Sequence, residues 1–168
     1  MKQLLQQYAA YNIWANKKIV ETANKLSHDQ ITREIISSFP SVYQTLAHLM
    51  EVELVWWERL QLAEHTSMPG WFAGTFDEMT KKLLGISQQW NDWIQNTNDV
   101  NISHVFAYHN SKKEHFKQPV YEMLLHLFNH QTLHRGQLIT MFRQLGLDKI
   151  PPTDFIVFSR SVPSQKGK

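Results

Sequence analysis

The sequence predicts an all-α fold: a four-helix bundle with long crossover connections and a small β-hairpin or extended segment before the fourth helix. Two observations carry this. Four segments of about 20–28 residues repeat apolar side chains every three or four positions, so each has one face to bury. Residues 101–117, NISHVFAYHNSKKEHFK, break that period and alternate on either side of Asn110-Ser111, the pattern of a hairpin or extended loop.

The first helix is expected from Lys2 to Lys25, with Leu4, Leu5, Tyr8, Tyr11, Ala15, Ile19 and Leu26 as its stripe. Pro40 marks a stop. Ser41 with Gln44 makes a capping-box signature that opens a second helix to about Glu64, striped by Val42, Leu46, Leu49, Trp56 and Leu60. A loop with Met68, Pro69 and Gly70 follows. Thr75 and Glu78 form a second capping box, from which a third helix runs to about Asn96. Pro119 suits the first turn of the fourth helix, and Gly146 its C-terminal cap. Pro151 and Pro152 prevent continuation, Asp154 to Arg160 reads as one last turn or a short strand, and 161–168 as a mobile tail. Residues 1–160 are thus expected to form a single domain. The connections at about 27–40 and 98–118 are long, so a plain up-down-up-down order is not required.

Composition narrows the function classes. Apolar residues make up 42% of the 168 residues and charged ones 19%, as in an ordinary folded domain. Seventeen Lys and Arg against fifteen Asp and Glu leave a formal charge of +2. No run of Lys or Arg exceeds two residues, so the electrostatic footprint of a nucleic-acid binder is missing. No stretch approaches the length of a membrane span, and the N-terminus lacks a signal-peptide core, so the expected location is cytoplasmic. The chain has no cysteine, which excludes disulfides, thiolate metal ligands and a thiol nucleophile of its own.

The strongest functional signal lies in HLFNHQTLHRGQL, residues 126–138, where His126, His130 and His134 stand four apart on an apolar helix. His134 is in register with Leu127, Leu138, Met141 and Leu145, so its ring is expected to face inward, where an unpartnered polar group is costly. Two readings answer that cost: a shared metal ion, or core histidines hydrogen-bonded to neighbours. In the second helix, His48 shares a face with Val52 and Val55 and supplies a third inward ring. Three neutral nitrogen ligands would leave an open coordination position, as catalytic zinc sites do.

These segments carry a resemblance. YNIWANKKIVE in the first helix, SFPSVYQTLAHLMEVELVWWERL in the second, and HLFNHQTLHRGQLITMFRQLG in the fourth, followed by PPTDF, resemble the DinB-like family (DNA-damage-inducible protein B) of the DinB/YfiT-like superfamily. The resemblance covers nearly the whole chain, and NHxxxHRGQ is its most specific part. It implies a four-helix bundle, a homodimer, and a divalent metal ion, zinc or nickel, held by His48, His130 and His134. Characterised members include bacillithiol-dependent transferases and a mycothiol-dependent maleylpyruvate isomerase. The resemblance therefore implies a small-molecule substrate and a low-molecular-weight thiol cosubstrate, which a cysteine-free chain would need from outside.

A metal on these imidazoles could equally activate water for hydrolysis, and a non-catalytic or dimerising bundle is the third alternative. Because free imidazole titrates near 6.5, metal occupancy is expected to fall as pH drops through roughly 6 to 5. His126 lies eight residues from His134 and rotates away from a site shared by the other two, which points to a neighbouring, pocket or dimer-contact role. Glu51 is a candidate for orienting a ligand or relaying a proton, against the alternative of a solvated helix charge. Arg135 is a candidate for an anionic substrate or for a salt bridge to Glu51 or Asp154. Trp57 and Trp71 are candidate pocket walls, and His28, His65, His104, His109 and His115 read as surface residues. There is no Gly-rich phosphate loop, no GxSxG and no HExxH, since Gln-Thr-Leu separates His130 from His134.

Overall fold

In the computed structural model, the described residues are 1–62, 66–67, 70, 72–110 and 112–162. The elements are α1 (Lys2–Ala23), α2 (His28–Thr32), α3 (Val42–Leu60), α4 (Phe76–Asn96), α5 (Asp99–Ser103), β1 (Val105–His109), β2 (His115–Pro119), α6 (Val120–Gln144) and α7 (Phe155–Ser161). The four long helices are those expected from the periodicity, and the hairpin precedes the last of them. The first helix stops at Ala23, and Leu4 points out of the bundle while Leu5 is buried. The second stops at Leu60; the stretch expected to continue to Glu64 runs into residues 63–65, outside the described residues.

Local signals set the boundaries. Thr75 and Glu78 exchange both capping-box hydrogen bonds at the start of α4. At α3 only half the box forms: Ser41 Oγ accepts from the Gln44 amide at 3.1 Å. A further reciprocal box, Ser27 with Gln30, starts α2. Pro119 is the N-cap of α6. At its other end Gly146 takes φ +89°, with Gly146 N bonded to Arg143 O and Leu147 N to Phe142 O, a Schellman closure that suits glycine. The segment after Pro152 resolves as a helix: α7 lays Phe155 and Phe158 on Tyr8, Tyr11 and Trp14 of α1.

Both α1 and α3 pack against α4 and α6, so the order round the bundle is α1, α4, α3, α6. One apolar cluster joins the C-terminal halves of α1 and α6 to the N-terminal halves of α3 and α4; a second joins the opposite halves. Hence α3 and α4 run parallel to one another, and opposite to α1 and α6. Parallel neighbours need a connection that returns along the bundle. The described residues between them are tied to α3 where Glu51 accepts from Gly70 N and Phe72 N and where Tyr43 donates to Gly74 O. Among the described residues no helix is long and apolar enough to cross a membrane.

Between the apolar clusters lies a buried polar layer fed by all four long helices. Glu53 accepts from Asn12 Nδ2 (2.8 Å) and Ser87 Oγ (2.8 Å). Arg135 donates to Asn12 Oδ1 (2.7 Å) and Asn16 Oδ1 (2.9 Å), and Asn16 donates onward to Ser87 at 3.0 Å. Gln131 donates to the carbonyl of Leu49 at 2.9 Å. Removing one member strands the others without water. Asn16→Ala is expected to lower stability by about 2–4 kcal/mol, measured by urea unfolding, because it leaves buried donors and acceptors unpaired.

Candidate metal centre

The polar layer fixes how α6 faces its neighbours. Gln131 and Arg135 point into the bundle centre, so His130 and His134, one position earlier in each case, are rotated toward α3. The Gln131–Leu49 hydrogen bond sets the two helices level there, placing His48 opposite the pair. His48 Nε2 lies 3.0 Å from His130 Nε2, and His134 Nε2 lies 3.1 Å from the same atom. Among the described residues, His48, His130 and His134 form the one group of three or more His, Asp or Glu side chains close enough to hold a metal ion.

The rings fit an ion better than they fit one another. His134 Nδ1 donates to Gln137 Oε1 (2.8 Å), whose Nε2 donates to Ser38 Oγ (2.9 Å), so His134 Nε2 presents a lone pair toward His130 Nε2. His130 Nδ1 is buried without a partner. Whichever nitrogen of His130 carries the proton, one polar atom or one lone pair is left unsatisfied. A divalent ion with Zn–N bonds of about 2.0–2.1 Å needs tetrahedral nitrogens about 3.3 Å apart. The two spacings to His130 are a few tenths of an ångström shorter, and the three ligand atoms all lie within 4.8 Å of one another, so side-chain movement is needed to close them on one ion.

The family search matches the DinB family over residues 1–166. The chain belongs to the DinB family. It is 29% identical over 170 residues to Protein DinB of Bacillus subtilis (strain 168), covering 94% of each chain. Its fold is similar to a crystal structure of a DinB-like protein from Bacillus cereus: TM-score 0.63, 16% identity, 82% of this chain and 89% of that one. A DinB-like protein from Bacillus subtilis gives a TM-score of 0.65 at 12% identity, over 88% and 98% of the two chains.

In this DinB-family chain His48, alone of the three histidines, lines a cavity of about 590 Å³ together with Phe39, Tyr43, Gln44, Ala47, Glu51, Gly70 and Phe72. Phe39 stacks on the His48 ring with centroids 4.1 Å apart and meets His134 edge-on. Phe39 and Phe72 come from connections, and no helical period marks them in the sequence. Glu51 is buried, not a solvated charge. Its two oxygens accept from Gly70 N (2.6 Å) and Phe72 N (2.9 Å), and among the described residues it bonds to no ligand ring. Arg135 is likewise buried and pairs with neither Glu51 nor Asp154; its partners are Asn12, Asn16 and Thr132.

His126 stands outside the cluster, exposed, with its ring 5.6 Å from Trp56 and 5.9 Å from His130. Trp57 does not wall this cavity. It packs edge-on against Trp90 and borders a groove along α4. Trp71 and His65 lie outside the described residues, as do 163–168 of the expected tail. His28 and His104 are exposed as expected.

Burial lowers His48 to about 4, helped by the charge of His134, and lowers His130 to about 3, helped by His134, His48 and His126. Both rings are thus neutral at pH 7 and ready to ligate. Their competition with protons moves below the pH 6 to 5 window expected for free imidazole. The consequence for the metal-free protein has a definite sign. Between about pH 6.5 and 4 the unfolded chain binds protons that folded His48 and His130 refuse, so stability rises with pH across that window. The urea midpoint of metal-free protein is expected to fall on acidification from pH 7 to 5, and His130→Gln to flatten that slope. An unchanged slope in the variant would contradict the assignment.

Proposed function

We propose that this DinB-family protein is a metal-dependent enzyme whose three-histidine site holds zinc or nickel, and that its reaction is a transfer using a low-molecular-weight thiol. The observation that carries the reading is the convergence of three imidazoles, one of which, His48, lines a cavity of about 590 Å³. Three protein ligands would leave a coordination position free, the arrangement of a catalytic centre. When bound, a divalent ion supplies Lewis acidity that lowers the pKa of a coordinated thiol or water.

The chain's own residues do the rest. Gln137 holds the His134 proton on Nδ1, and Phe39 fixes the plane of the His48 ring. Phe39, Tyr43 and Phe72 give the cavity an apolar, aromatic wall suited to an uncharged organic electrophile. The thiol sulfur then forms the new bond to carbon, its proton passes to solvent, and the leaving group departs with its electron pair. The sulfur must come from outside because the chain has no cysteine. We take the working form to be a cytoplasmic homodimer, as the family resemblance implies for the assembly.

Cobalt(II)-substituted protein tests this. Titration with 2-mercaptoethanol and cysteine is expected to produce a sulfur-to-cobalt charge-transfer band, absent in His130→Ala. If no thiol alters the spectrum but simple esters are cleaved, the same site is a hydrolase. If neither occurs, the non-catalytic bundle is correct.

A further inference from the structure

We infer a second metal site, at the tip of the β-hairpin, formed by His109 and His115 and suited to a tetragonal divalent ion such as Cu(II) or Ni(II). Three observations converge on it. The first is register. His109 and His115 are direct cross-strand partners. Backbone hydrogen bonds join Asn110 N to Glu114 O and Val120 N to His104 O. Hydrogen-bonded pairs alternate along an antiparallel ladder, so His109–His115 is a non-hydrogen-bonded pair, the kind in which side chains stand closest.

The second observation is ring geometry. The Nε2 atoms are 2.7 Å apart and the ring centroids 3.8 Å apart. This contact accommodates one shared proton or one shared ion; two imidazolium rings would repel. Ligands at right angles on an ion with bonds of about 2.0–2.1 Å lie about 2.9 Å apart, against about 3.3 Å for tetrahedral ones. The observed spacing is nearer the right-angle value. Copper(II) and nickel(II) favour square-planar or tetragonal nitrogen sets and bind such sites more tightly than ions earlier in the first-row series.

The third is accessibility. Both rings are exposed, and the nearby Glu114 carboxylate is held by Asn110 Nδ2 at 2.6 Å. Two protein ligands leave the remaining positions to water. The site is independent of the bundle centre: it uses other residues, on another element, and stands whether or not the three-histidine site binds metal.

Equilibrium dialysis of the full chain against Ni(II) at pH 7.5, with bound metal read by mass spectrometry, tests the inference. The double variant His109→Ala/His115→Ala is expected to bind one equivalent fewer than the parent, with an unchanged circular dichroism spectrum because both side chains are exposed. His48→Ala/His130→Ala is expected to keep the hairpin equivalent. If the hairpin variant binds as much nickel as the parent, whatever that amount, the site does not exist. Loss of metal only in the His48→Ala/His130→Ala variant would overturn it equally, while leaving the bundle centre intact.

Discussion

The buried polar layer of Asn12, Asn16, Glu53, Ser87, Gln131 and Arg135 is the constraint on which the rest of the structure depends. Apolar clusters above and below tolerate small slips of one helix against another, because the hydrophobic effect is non-directional. Hydrogen bonds of defined partner and angle do not. An arginine and a glutamate this deep are costly to bury unless every neighbour takes its place. Burial pushes Glu53 up to about 7 even though Asn12, Ser87, Arg135 and Asn16 all favour its charged form. The layer therefore selects one rotation for each helix.

The three-histidine cluster follows from that selection. On α6 the residues that enter the layer and the residues that face α3 are sequence neighbours, 131 beside 130 and 135 beside 134. Fixing the first pair fixes the second. Glu51 adds the other half: it holds Gly70 and Phe72 by their backbone amides, and the cavity that His48 lines forms between these residues and α3.

Much of this was legible in the sequence because it rests on local periodicity. The four helices, the Thr75–Glu78 box, the Gly146 cap and the inward faces of His48, His130 and His134 all follow from spacing within one element. What was not legible depends on pairing between elements. Nothing in SSFPS marks Phe39 as the residue that stacks on His48. Arg135 was open to a carboxylate partner because its asparagine partners lie more than a hundred positions away on α1. Glu51 was open to orienting a ligand, relaying a proton or standing as a solvated charge, because the amides it holds belong to a loop without a pattern. His109 and His115 lack helical ligand spacing, and only hairpin register brings them together.

The central claim is that three imidazoles hold one ion, and X-ray absorption at the zinc edge tests it most directly. The sample is zinc-loaded protein carrying His109→Ala/His115→Ala, so that the bundle centre alone contributes. The account expects three imidazole nitrogens at about 2.0–2.1 Å with one further light ligand, and loss of the imidazole scattering in His130→Ala. A first shell of oxygen without imidazole, or the same spectrum in His130→Ala, would contradict it.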